Sequence, residues 1–277
     1  MPTNPYYLTF GGNALTIGAG GVAVSTNPVV DPYNPLGLPP DTIRCKFSAG
    51  YTPARGTLKT LVDAAENIWD ITEHDSWNAL FYDNNNLLEV LGANTTGRTT
   101  MEYTFTECTS LTSVPLFDTS SVTSMKSLFS NCQLLTSIPL YDTSSVTDMS
   151  GMIRECPLLT GVPLFDTSAA TDMSNMFYGC TGLITVPLFD TSSVTNMRSM
   201  LQECSSLTSI PLFDTSSVTD MTTMCFKCTS VETGALALYQ QASSQASIPT
   251  HQWTFTNCGS GTVSGAQELS QIPSGWK

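Results

Sequence analysis

The chain has 277 residues, of which 12% are charged, and carries a net charge of −13 from 23 acidic and 10 basic side chains. That surplus excludes sequence-independent nucleic-acid binding, which needs a basic surface to displace counterions, and docking on anionic lipid. A neutral or cationic partner, either a glycan or a basic protein surface, is compatible.

Residues 1–40 read as a Gly- and Pro-rich arm and linker, with no charged side chain before Asp31. The stretch YYLTFGGNALTIGAGGVAVS alternates weakly between glycines, as short strands or an extended arm would, and DPYNPLGLPPD reads as the linker. The start lacks the basic and continuous apolar regions of a secretory signal. Its least polar stretch, Ala14 to Val24, is too short to span a bilayer. No cysteine precedes Cys45 that could carry a lipid anchor. The expectation is delivery by assembly or release rather than signal-directed secretion. The arm would anchor the protein to an assembly or pair with itself in an oligomer; the alternative is a flexible tail.

Residues 41–86 are expected to form an N-terminal cap. Trp77, Phe81 and Asn84 hold, in worn form, places that later cycles give to Met, Phe and Cys, as a terminal unit facing water should.

Residues 87–230 are periodic. Cys108, Cys132, Cys156, Cys180, Cys204 and Cys228 recur every 24 residues. So do Pro115 to Pro211, Met125 to Met221, and the row Asp118, Asp142, Asp166, Asp190 and Asp214. Four registers in phase cannot arise by chance. Within a cycle, Leu111, Val114 and Leu116 follow L-x-x-L-x-L and are expected inward on a strand. Thr112, Ser113, Pro115 and Phe117 are then expected to face solvent. In SVTSMKSLFSNC, Met125, Leu128, Phe129 and Cys132 stand at i, i+3, i+4 and i+7, one face of a short helix, with Thr123 as its N-cap. No unit can bury its apolar face alone, so neighbours must stack, with equivalent residues ~4.8 Å apart.

Residues 231–277 leave the cycle and are expected to cap its end. ALALYQQASS has a helix pattern, HQWTFTNCGSG partly repeats the segment leading to Cys, and AQELSQIP fits a second short helix. The expected architecture is thus an α/β solenoid of leucine-rich-repeat-like units, each strand, turn and short helix, with terminal caps and a β or extended N-terminal arm.

The run F-D-T-S-S-V-T-D-M-x-x-M-F-x-x-C-x-x-L-T-x-[VI]-P resembles the BspA-like leucine-rich repeat of bacterial surface proteins, in its mycoplasma-lipoprotein variety. Similar repeats occur in virion and tail proteins of gut bacteriophages. The resemblance covers about residues 87 to 230. It implies a curved solenoid used in adhesion or recognition, with no catalytic site.

The six ladder cysteines are expected to pack inward as small hydrophobes, since parallel side-chain vectors make bridges between neighbours awkward. The CxxC of Cys225 and Cys228 reads as a core substitution. With only His74 and His251 as histidines, a zinc site lacks ligands, and no metal or cofactor is expected. The five aspartates would repel one another unless D-T-S forms Asx-turns, with Asp accepting from following amides. A row of calcium sites is the lesser alternative.

The aromatic row Phe117, Tyr141, Phe165, Phe189 and Phe213 is the candidate ligand-binding feature. Expected outward beside carboxylates and hydroxyls, it would suit sugar stacking or a protein contact. The alternative is that these rings pack over one another at the solenoid edge. No nucleophile elbow, phosphate-cradling loop or placed His appears, so no enzyme is expected. The leading expectation is an adhesion or receptor-binding module of a phage virion. Its arm would meet other virion proteins, and its repeats would meet host surface glycan or protein without membrane insertion. A structural decoration or fibre protein, and a bacterial cell-surface adhesin, are the alternatives.

Overall fold

The computed structural model describes residues 77–93, 95 and 97–277, without the side chains of 91–93, and the backbone of residues 8–9, 42–47, 59–63 and 66–70. The remainder of the N-terminal arm, the linker, much of the expected N-terminal cap, His74 and the side chain of Cys45 lie outside the described residues.

Five strands come first: β1 (Leu8–Thr9), β2 (Thr42–Phe47), β3 (Lys59–Asp63), β4 (Glu66–Asp70) and β5 (Leu87–Ala93). They form an antiparallel sheet in the order β1-β2-β5 and an antiparallel β3-β4 pair. β2 pairs with β5 from Ile43↔Ala93 to Phe47↔Leu87, with two irregularities of register. β5 also joins the first cycle by a parallel bridge, Glu89↔Ser113. One strand therefore links the sheet to the repeats.

The repeats stack through their backbones. Parallel bridges run Thr100↔Ser124↔Asp148↔Asp172↔Asn196↔Asp220, one link per 24 residues, and a last link reaches Thr250. Between neighbouring rungs alternate amides donate forward: Met125 to the Asp148 carbonyl, Ser127 to Ser150, Phe129 to Met152 and Asn131 to Arg154, at 2.7–2.9 Å. The amides in between turn back locally, Leu128 to Met125 and Cys132 to Phe129. This pattern recurs in each interior rung, and 250–258 repeats its local turns, with one forward bond from the Phe255 amide to the Trp276 carbonyl.

That division of amides overturns the expected short helix. Among the described residues no α-helix precedes Ala235. A helix would use every amide within its own segment, leaving none for the next rung. Instead the segment makes successive tight turns, each with its third residue left-handed, as a type II turn requires. Ser127 and Asn131 have φ of 51° and 60°, and the pairs Gly151 and Glu155, Asn175 and Gly179, and Ser199 and Glu203 repeat the feature. Met125, Leu128, Phe129 and Cys132 still face inward and are fully buried, because two four-residue turns share the helix's spacing of apolar positions. The expected strand is likewise reduced. In the L-x-x-L-x-L segments described, only Ser113 and Ser209 make bridges, and the proline of each cycle has no amide to donate.

Side chains continue the ladder inside. Thr119, Thr143, Thr167 and Thr191 are buried, and each hydroxyl donates to the carbonyl of the Asp one rung ahead at 2.7–2.8 Å. Each such bond adds about 1 kcal/mol. The cysteine thiols donate one rung back, Cys132 to the Phe105 carbonyl and Cys156 to Phe129, both at 3.1 Å. A serine would bring a more polar group into the same place, and a valine no donor. Aromatic rings stack along the axis, Phe81 on Phe105 at 5.4 Å and Phe105 on Phe129 at 5.5 Å.

The C-terminal residues close the stack. Gly234, at φ 101°, turns the chain into α1 (Ala235–Ser243); a β-carbon there would lie 2.1 Å from the Ile210 carbonyl oxygen. After α1, residues 250–258 form one more rung. α2 (Val263–Gln271) follows, with the Thr262 hydroxyl accepting from the Gly265 amide as its N-cap. The Glu268 carboxylate accepts from the Leu236 amide at 3.1 Å, satisfying a donor at the start of α1. Trp276, in a final 3-10 turn, accepts from the Phe255 amide and stacks on His251.

All eight described cysteines are free and buried, and burial pushes the thiols of Cys108, Cys180 and Cys228 up to about 12. Iodoacetamide at pH 8 is expected to leave these eight unmodified in the folded chain and to label all of them in guanidinium, as read by peptide mass. Labelling of the ladder cysteines without denaturant would contradict the buried ladder.

Candidate binding surface

The structure places the expected aromatic row inside. Phe117, Tyr141, Phe165, Phe189 and Phe213 are each 2% exposed or less. Their rings stack rung to rung, Phe117 on Tyr141 at 5.8 Å and Phe189 on Phe213 at 6.5 Å, and Phe117 lies 6.0 Å from Phe105 of the axial column. The one tyrosine is satisfied, its hydroxyl donating to the Pro115 carbonyl at 3.1 Å. Burial raises its pKa well above the ordinary value. This row is core and offers no face to a ligand.

The residue expected inward beside it is outside. Leu116, Leu140, Leu164, Leu188 and Leu212 are 41%, 60%, 61%, 62% and 52% exposed. The exchange has a local cause. In three cycles the amide of the aromatic residue donates to the proline carbonyl two residues back, Phe165 to Pro163, Phe189 to Pro187 and Phe213 to Pro211, at 2.9–3.1 Å. An i to i+2 bond is a γ-turn centred on the leucine. Such a turn breaks strand alternation, so Leu111, Val114 and Phe117 point inward at every third residue, and the leucine is thrown out at the apex.

The result is one apolar row along the stack, one leucine per rung. On one side stand exposed Thr136, Thr160 and Thr208, with exposed Ile184 in the same register. Leu134 and Leu158, 46% and 47% exposed, widen the apolar strip beyond them. On the other side runs the aspartate row. Large apolar side chains repeated in one exposed register, rather than scattered singly, mark an interaction surface.

The aspartates are organised locally. Asp142 Oδ1 accepts from the Ser144 amide at 3.1 Å and hydroxyl at 2.7 Å, and Asp166 and Asp190 treat Ser168 and Ser192 alike. Asp214 accepts from the Ser216 amide at 2.8 Å. These bonds hold the carboxyls of Asp166, Asp190 and Asp214 below their ordinary 3.8. Asp142, Asp166, Asp190 and Asp214 are exposed, so the leucine stripe has a negative edge. No group of three His, Cys, Asp or Glu side chains able to hold a metal converges among the described residues.

Three overlapping stretches, residues 58–162, 99–185 and 158–247, match the model of a family described as "Mycoplasma protein of unknown function, DUF285". No curated protein and no solved structure matches the chain.

Two measurements check this inside-out assignment. Phe165→Ala should lower stability by about 3–5 kcal/mol, and Leu164→Ser should change it by no more than about 0.5 kcal/mol; the opposite order in thermal melts would refute the placement. Because the pKa values of Asp166, Asp190 and Asp214 are depressed in the fold, their contribution to stability is complete above the unfolded value. It is lost as pH falls through the lowered folded values. Tm should therefore drop below about pH 4, and less steeply in a variant with Ser168, Ser192 and Ser216 all replaced by Ala.

Proposed function

The chain belongs to the DUF285 repeat family, and we propose that it is a non-enzymatic recognition module whose leucine stripe docks on a protein at a host cell surface. We read the stacked rungs as the leucine-rich-like solenoid of BspA-like repeat proteins, displayed on a phage virion or, alternatively, on a bacterial cell. The observation that carries the reading is five leucines exposed in one register, three of them at the apex of a γ-turn, while a phenylalanine or tyrosine beside each is buried.

Side-chain chemistry selects the class of partner. Aliphatic branches present no flat face to a sugar and no donor to its hydroxyls, so this stripe suits an apolar ridge on another protein. Its aspartate edge adds a preference for Lys or Arg flanking that ridge, and the net charge of −13 acts in the same direction over longer range. Threonines on the far edge supply polar rim contacts. The rigid ladder contributes by keeping the leucines ordered before binding, which lowers the entropy lost on association.

The test is retention of the purified chain on a panel of bacterial cells, before and after protease treatment of the cells. The variant carrying Leu140→Ser, Leu164→Ser and Leu188→Ser is run beside it, with melting confirming that it is folded. Wild type should bind at least one cell type, lose that binding after protease, and exceed the variant by about tenfold or more. Binding should also weaken in 0.5 M salt, which screens the aspartate edge. Equal binding by the folded variant would overturn the proposal. Binding by neither protein would leave the stack as a spacer without a specific ligand.

A further inference from the structure

At the opposite end from the sheet, the last rung forms a cleft of about 630 Å³ lined by Arg198, Asp220, Ile248, Pro249, His251 and Trp253, among others. That volume falls within the range of small-molecule sites. We propose that this cleft is a subsite for a neutral saccharide, with the Trp253 indole as its stacking platform and Asp220 and Arg198 gripping adjacent hydroxyls.

Trp253 is the unusual residue. It is 56% exposed, while Trp77 and Trp276 are 1% and 6% exposed. It also sits at φ 57°, in the left-handed region that a bulky side chain enters at a cost. The fold imposes that conformation on this place in every rung, and the other rungs fill it with Ala79, Tyr103, Ser127, Gly151, Asn175, Ser199 and Thr223. Only the last described rung puts an indole there, at the rim of a cleft. Neither packing nor backbone preference accounts for that choice. A flat aromatic face left wet beside Ile248, itself 52% exposed, matches the C–H face of a sugar ring.

The polar wall is equally specific. Asp220 Oδ1 already accepts from the Thr222 amide at 2.8 Å. Its Oδ2 stands 3.9 Å from Arg198 Nη1, too far for a direct hydrogen bond. An acceptor and a donor held apart in this way can engage two neighbouring hydroxyls, one donating to the carboxylate and the other accepting from the guanidinium. Their charges offset, so the pair favours an uncharged ligand. The far wall is fixed: His251 stacks on Trp276 at 3.9 Å, and its Nδ1 lies 2.8 Å from the Pro249 carbonyl oxygen to which it donates. Interior rungs carry Asp148 and Asp172 in the register of Asp220, with Asn175 and Ser199 where Trp253 would be, so the combination belongs to this end.

Saturation-transfer NMR on the full chain tests the site, using N,N′-diacetylchitobiose, lactose, maltose and sialyllactose as probes. At least one neutral disaccharide should bind, with signal reduced about tenfold in Trp253→Asn and in Arg198→Ala and unchanged in Leu164→Ser. Asn accepts the left-handed conformation more readily than Trp, so Trp253→Asn should melt no lower than wild type. Loss of binding in that variant would then report the lost platform rather than unfolding. No neutral disaccharide bound, preference for the acidic sialyllactose, or undiminished binding by folded Trp253→Asn would each overturn the proposal. None of these outcomes bears on the leucine stripe, which the serine variants test separately.

Discussion

Each rung gives alternate backbone amides to its successor, and most other features follow from that transfer. An amide sent forward, such as Ser127 to Ser150, cannot close a helical turn at home. The segment must therefore progress by tight turns, and tight turns of this kind demand a left-handed residue every fourth place. Ser127, Asn131, Glu155 and Asn175 meet that demand without glycine. Their strain is tolerated because the preceding peptide is tied to the rungs on both sides, the Lys126 carbonyl accepting from Tyr103 and the Ser127 amide donating to Ser150. Backbone groups that a core cannot leave unpaired are thus satisfied across the stack, and the interior is free to be mainly apolar: methionine, cysteine, leucine and aromatic columns, with threonine hydroxyls and thiols as donors.

The same repetition turns a local choice into a surface. A single γ-turn at Leu164 would expose one leucine, which is unremarkable on any protein. Repeated at Leu188 and Leu212, with Leu116 and Leu140 exposed in the same register, it makes a straight apolar stripe. Each leucine is backed by a buried ring that fixes its position. The aspartate that follows is locked by its serine, so the stripe and its charged edge keep a constant separation along the stack. Recognition by such a face depends on the period being strict, as it is from Cys108 to Cys228.

Much of the stacking was legible in the sequence. Strict spacing located the inward methionines and cysteines, and D-T-S pointed to the turns that Asp142 and Asp166 now form. HQWTFTNCGSG partly repeated the segment leading to Cys, but residues 231–277 read as a cap outside the cycle rather than as holding a further rung at 250–258. Three things were hidden, each for a physical reason. Positions i, i+3, i+4 and i+7 describe one face of a helix and also the inner corners of two successive four-residue turns. Only the glycines and asparagines at 131, 151, 175 and 179 hinted at left-handed places. The leucine and the aromatic residue were exchanged because alternation along a strand assumes an unbroken pleat. The proline before each leucine removes an amide and, in three cycles, accepts the bond that bends the chain. With that bend unseen, Phe165 reads as outward and Leu164 as inward. The cleft at Trp253 was hidden for a third reason, since it needs residues from three rungs brought side by side.

The central claim is that each P-L-F or P-L-Y unit turns its leucine out and its ring in, and hydroxyl-radical footprinting of the native chain tests it directly. Oxidation should appear at Leu140, Leu164 and Leu188. Tyr141, Phe165, Phe189, Met173 and Met197, all intrinsically more reactive, should stay protected until the chain is denatured. Early oxidation of those aromatic residues, with the leucines untouched, would show that the stripe is not where the hydrogen-bond ladder puts it.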